Sequence, residues 1–245
     1  MLISAVLKSD IIVYTATADD LPSVEAVLDG ISQRGKAGKK TVYIHTSGCS
    51  ELTDADHIGD GSSRSEKIFS DNDPASIDAL SDAAPHRKID LAIINRRAEL
   101  APHAKISIIL PPCIYGVGKA SGRISIQIPT MVRFAIKHGY AGYVGGGEAV
   151  WSMVHVSDLA RGYLTMLNWM ETTSSDKVLA NPYWFAVNEE ELSWKEIAKE
   201  IGRDLYKAGK IQDATPKQIP QSLWNDLFGE WSPHVIGYEL SLYNL

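Results

Sequence analysis

The sequence predicts an α/β protein built on a mainly parallel sheet, and three features carry that reading. Short β-branched or aromatic runs recur at 11–16, 41–46, 106–110 and 183–187. Segments with apolar residues at three- and four-residue spacing separate them, the alternation that βαβ units produce. The 245 residues are 44% hydrophobic and 22% charged, the balance of a folded domain with an ample core.

The first strand follows Ser9 and Asp10, and a helix is expected over 22–34. Pro22 suits its first turn, and Val24, Val27, Leu28 and Ile31 fall on one face. The second strand, 41–46, ends at Ser47 and Gly48. Residues 51–85 are polar and read as one long loop. The helix expected over 86–100 carries Ile89, Ile93 and Ile94 inward and Arg96 and Arg97 outward. The third strand closes at Pro111 and Pro112. A helix over 129–138, an irregular turn at Gly145 to Gly147, and a short extended piece at 154–156 follow. Asp158 is expected to cap the next helix, which runs to about Met170. After the strand at 183–187, Ser193 and Glu196 form a capping-box pattern for a helix over 193–208. The tail from 214 reads as one or two short helices around Leu223, Trp224, Leu227 and Phe228. Residues 1–116 with the strand near 183–188 form the sheet-bearing part, and 117–182 with 189–245 a mainly helical lobe. Neither is expected to fold alone.

Charge and cysteine content exclude several classes. With 24 Lys+Arg against 30 Asp+Glu, the net charge is −6, and no basic stripe exists for nucleic acid. Cys49 and Cys113, the two cysteines, do not make a disulfide framework and fit a reducing compartment. No apolar run approaches the roughly 18 residues of a membrane span, and Met1 opens no signal peptide. A cytoplasmic protein without membrane or nucleic-acid partners is expected.

Four segments taken together are more specific. Asp10-Ile-Ile-Val-Tyr-Thr-Ala16, Val42-Tyr-Ile-His-Thr-Ser47, Ile108-Ile-Leu-Pro-Pro-Cys-Ile-Tyr-Gly116 and Trp151-Ser-Met-Val-His155-Val-Ser-Asp158 occur in that order. They resemble strands four, five and six and the His-Val-x-Asp segment of extended short-chain dehydrogenase/reductase proteins. These are the NAD-dependent epimerase/dehydratase-like family, and the nearest type is the fungal one. The resemblance implies a Rossmann-like sheet, here the equivalent of strands 4-5-6-7. Two motifs depart from the family. No glycine-rich GxxGxxG turn precedes the first strand, and where Tyr-x-x-x-Lys is expected the chain reads His86-Arg-Lys-Ile-Asp90. Such a turn at a helix N-terminus holds a cofactor pyrophosphate. The expectation is therefore an N-terminally shortened relative with no NAD(P) and no other cofactor. The first strand is then an exposed edge, and a homodimer is expected, either joined through 11–16 or covering that edge by helix exchange.

His86 and Asp90 sit four apart on one helical face, where a carboxylate would orient an imidazole and favour its charged form. With Ser47 they are the catalytic candidates. Thr17, Tyr115, Trp151 and His155 are the substrate-contacting candidates, with His155 also suited to satisfying a backbone partner. No G-x-S-x-G elbow supports a hydrolase, and the histidines and cysteines lack metal-ligand spacing. The expected activity is cofactor-independent isomerisation, dehydration or cyclisation of a hydrophobic small molecule, in secondary metabolism. The alternatives are an inactive small-molecule-binding or regulatory protein, or a fragment of an NAD(P)-dependent reductase or epimerase.

Overall fold

A computed structural model of the chain describes residues 2–54, 66–119, 122–188, 191–238 and 240–243. After α1 (Leu2–Val6), β1 (Ile11–Tyr14), α2 (Leu21–Lys36) and β2 (Thr41–Thr46) form the first βαβ unit. Then come β3 (Ile68–Ser70), α3 (Pro74–Asp78), α4 (Arg87–Leu100), β4 (Ala104–Leu110) and β5 (Cys113–Tyr115). The remainder holds α5 (Gln127–His138), β6 (Tyr140–Tyr143), β7 (Val150–His155), α6 (Val156–Thr172), α7 (Ser175–Ala180) and β8 (Tyr183–Phe185). It closes with β9 (Glu191–Ser193), α8 (Trp194–Lys207), β10 (Asp213–Gln218), α9 (Ser232–Ile236) and β11 (Ser241–Tyr243).

The main sheet runs β1-β2-β4-β8 with every pair parallel. This is the predicted order, and the Rossmann-like α/β class stands. Successive residues of a strand face opposite sides, and both sides are covered here. Tyr43 and Ile108 join the larger core with Val24, Leu28 and Ile31 of α2 and Ile93 of α4. Their neighbours Ile44 and Ile109 join a second cluster with Leu159, Met166 and Met170 of α6. Burial on both faces explains why these strands read as continuous apolar runs. Ile11 and Val13 of the edge strand β1 remain 43% and 45% exposed.

The helices start where local chemistry starts them. The Asp20 side chain accepts from the Ser23 N–H ahead of α2, and α8 carries the full Ser193–Glu196 capping box. Two expectations fail at helix surfaces. Arg97 is buried, its guanidinium donating to the Ile106 and Val178 carbonyls; those carbonyls draw it inward. Asp158 does not cap α6: His155 is the N-cap, its Nδ1 accepting from the Ser157 N–H, while Asp158 pairs with Arg161.

Strands missed by sequence pattern dominate the second half. β5-β7-β9 form one small sheet and β6-β10 another, while β11 pairs with β3. The expected long loop at 51–85 holds β3 and α3; its residues 55–65 lie outside the described residues. The short helices expected around Leu223 to Phe228 are present as 3₁₀ turns at Gln221–Asp226 and Gly229–Trp231, while the strand β10 just before them was not expected.

Candidate functional site

The carboxyl ends of β1, β2 and β4 open into a cleft of about 430 Å³, the edge where open α/β sheets receive ligands. Asp19 comes from the turn after β1, Gly48 to Ser50 from the turn after β2, and Pro111 and Pro112 from the end of β4. The far wall is Gln127, Trp151, Trp231, His234 and Val235. The walls are thus largely apolar, with few hydrogen-bonding groups, the composition of a small-molecule pocket.

His86 lines this cleft from the head of α4. It alone among the described non-glycine residues has positive φ, 64°, a strained conformation that persists only where surroundings impose it. Its Nδ1 lies 2.7 Å from Asp19 Oδ1. With Nδ1–H donating to that carboxylate, the proton-accepting nitrogen is Nε2. Nε2 packs on Gly48, where an added Cβ would come within 2.9 Å of it. The turn after β2 therefore needs glycine to admit the ring. The Asp19 side chain is 68% exposed, so this ion pair contributes orientation more than stability. Thr17 is exposed, and its Oγ1 accepts from the Asp19 N–H at 3.1 Å; it braces Asp19.

One turn further along α4, Asp90 is fully buried. The expected His86–Asp90 pairing does not form, because the left-handed cap turns His86 toward Asp19 while Asp90 points into the core. There Asp90 meets His45, whose Nε2 is 3.8 Å away, and lies beside Ser47 and Glu51. All four are buried, and none of the atoms they turn toward one another completes a hydrogen bond. Burial, seconded by the charge of His86, pushes the His45 imidazole down to about 4. Burial raises Asp90, against the opposing pull of Ser47, Glu51, His86 and Arg87. Burial and then the neighbouring Asp90 carry Glu51 well above the usual carboxylate range.

Of the other sequence candidates, Trp151 lines the cleft, 2% exposed and edge-on to Trp194 at 5.1 Å. Tyr115 and His155 meet each other edge-on at 5.3 Å and lie outside the cleft lining. Asp19, His234, Trp231 and the two prolines were not anticipated. Asp19 and His86 are 67 residues apart, and no local pattern announces their meeting. The Pro-Pro pair after an apolar strand was the one available signal. Among the described residues no group of three or more metal-ligating side chains could hold an ion. No described helix is long and apolar enough to cross a membrane.

No protein-family model matches the chain. It is 25% identical over 230 residues to "Oxidase ucsJ" of Acremonium sp, covering 89% of this chain and 66% of that one. It is 31% identical over 96 residues to "Uncharacterized protein C2A9.02" of Schizosaccharomyces pombe (strain 972 / ATCC 24843), covering 39% of this chain and 28% of that protein. The chain thus spans less than two thirds of the length of either relative. MoeE5 in complex with UDP-glucose and NAD superposes with a TM-score of 0.61 at 12% identity, over 99% of this chain and 72% of that one. DesIV, a dTDP-glucose 4,6-dehydratase from Streptomyces venezuelae with NAD and TYD bound, gives 0.59 at 15% identity, over 94% and 70%. UDP-glucuronic acid 4-epimerase from Bacillus cereus, with UDP-glucuronic acid and NAD, gives 0.58 at 14%, over 98% and 68%. At such identities the likeness establishes the fold.

These structures correct the expectation of no cofactor: all three hold NAD, so the fold is one that binds it. Toward such a cofactor the cleft offers an apolar wall at Pro111 and Pro112 and one hydrogen-bonding imidazole at His86. Phosphates prefer an unfilled helix N-terminus; at α2 that place is taken by Asp20 capping, with Asp19 beside it.

Proposed function

We propose that the chain performs the acid–base step of an isomerisation, dehydration or cyclisation of a small, largely apolar molecule. One observation carries this reading: an imidazole oriented by a carboxylate, His86 on Asp19 at 2.7 Å, faces an apolar cleft at the sheet's carboxyl edge. A positioned imidazole contributes roughly 10²–10⁴-fold through proton transfer. Nε2 takes the proton, and Asp19 stabilises the imidazolium that results. Trp151, Pro111 and Pro112 shape the space and exclude water, which strengthens the charge interactions inside it. NAD, when bound, supplies hydride exchange; His86 holds or moves the proton. Placement of the reaction in secondary metabolism belongs to this reading.

The test is deuterium wash-in. The protein is incubated in D₂O with a panel of apolar hydroxyketones and dienols, with and without NAD, and exchange at carbon is followed by NMR. Exchange with at least one compound that is lost in His86→Gln supports the reading. Compounds that bind without exchange would instead mark a binding protein.

Two assembly readings join the proposal. The exposed Ile11 and Val13 of edge strand β1 offer unpaired backbone to a second copy, so light scattering should find a dimer. The larger core spans sheet and lobe, joining Tyr43 and Ile108 to Trp151 and Trp194, so one cooperative melt is expected.

A further inference from the structure

Beneath the cleft floor, four side chains converge whose polar atoms have no hydrogen-bond partner: His45 Nε2, Ser47 Oγ, both Glu51 oxygens and both Asp90 oxygens. The four residues are at most 5% exposed. Buried polar atoms are almost always satisfied, and six orphans in one place demand an explanation. Proton placement provides it. Tyr43 Oη lies 3.1 Å from His45 Nδ1; with its hydroxyl donating there, the His45 proton sits on Nε2, which faces Asp90. Ser47 brings a second hydroxyl proton. Two carboxylates side by side in a dry site do not both ionise, so one of the acids supplies the third.

We propose that Asp90 is the single anion of a buried hub, with neutral His45 and Ser47 turned toward it and Glu51 protonated beside it, and that this hub positions the cleft floor behind His86. The groups facing it are Tyr43 and His45 from β2, with Tyr14 of β1 stacked on His45 at 5.5 Å. Arg87 and His86 face it from α4, and the Cys49 thiol lies beside Glu51. Arg87 and a charged His86 both favour the Asp90 anion, while burial and Asp90 keep Glu51 neutral. Glu51, Asp90 and Ser47 are thus positioning residues: they fix the Ser47–Gly48 turn on which the His86 ring rests. Only the link to His86 rests on the acid–base reading, since the hub's protonation can be measured without turnover.

The experiment is ¹³C NMR of the full chain with carboxyl-labelled glutamate and aspartate, titrated across pH. At pH 7 one glutamate carboxyl is expected in its protonated form, and that signal disappears in Glu51→Gln. The amide keeps a donor for Asp90, so this variant should fold. Should it fail to, Asp90→Asn reads the same coupling, because removing the neighbouring charge lets Glu51 ionise at lower pH. Glutamates that are all ionised at pH 7, or a Glu51 titration unmoved by Asp90→Asn, overturn the hub. A stability profile gives the matching sign. A carboxyl raised in the folded state contributes stability that is complete below the ordinary glutamate range and is lost as pH rises. Wild-type stability should therefore decline as pH rises from the ordinary glutamate range to about 9, and Glu51→Gln should flatten that decline.

Discussion

His86 and Asp90 are one helical turn apart and live in opposite media. His86 stands at the head of α4 with a solvent-exposed carboxylate for a partner. Asp90 is wholly buried beside His45, Ser47 and Glu51. Their spacing suggested a pair, and the backbone decided otherwise: a left-handed cap at φ 64° swings the imidazole out of line with the turn below it. The i,i+4 rule applies to residues inside a helix, and a cap residue lies outside it. On the proposed reading the difference divides the labour, with proton transfer at the rim and structural anchoring below.

The largest effect should come from breaking the lower half. Asp90→Ala leaves several buried donors unpaired, and losing one partner of such a buried charged network costs about 3–5 kcal/mol; chemical denaturation measures it. At the rim the balance reverses. His86→Gln should cut any turnover roughly 10²–10⁴-fold with little change in denaturation midpoint, since its partner is surface-exposed. Between the two lies Gly48→Ala. Its backbone is extended, φ −146° and ψ 135°, so alanine is tolerated locally, but its Cβ would displace the His86 ring. Overpacking of this kind costs about 1–3 kcal/mol, and turnover should fall further than stability does. A separate effect is expected from acid. His45, lowered from 6.5 to about 4, contributes stability present above the unfolded value and lost as pH falls between those values. Over that window the raised Glu51 and Asp90 act in the opposite sense, so the His45 contribution is read as the difference between the thermal melts of the wild type and of His45→Gln.

These two regions were not equally legible. Strand 41–46 was readable to the residue, because a β-branched run bounded by loops needs no distant partner to be recognised. The helix bearing His86 was readable from Ile89 and Ile93, both buried. The small sheets were not: Trp151, Ser152 and Met153 of β7 show no alternation, and their pairing with β5 and β9 is made by distant segments. At the site, His86, Ser47 and Asp90 were visible as residues, but their partners were not. Asp19, Glu51 and His45 join them only when β1, β2 and α4 are laid side by side. The missing cofactor motif was legible too, yet it misled, since the fold it belongs to is shared with NAD-bound enzymes.

Chemical rescue tests the acid–base reading most directly. Glycine accepts positive φ freely, so His86→Gly should fold at least as well as the wild type while leaving a ring-sized gap beside Gly48 and Asp19. The expected result is deuterium exchange lost in this variant and restored by added imidazole. Exchange at the wild-type rate in His86→Gly, with no imidazole present, would contradict the assignment of the proton to His86.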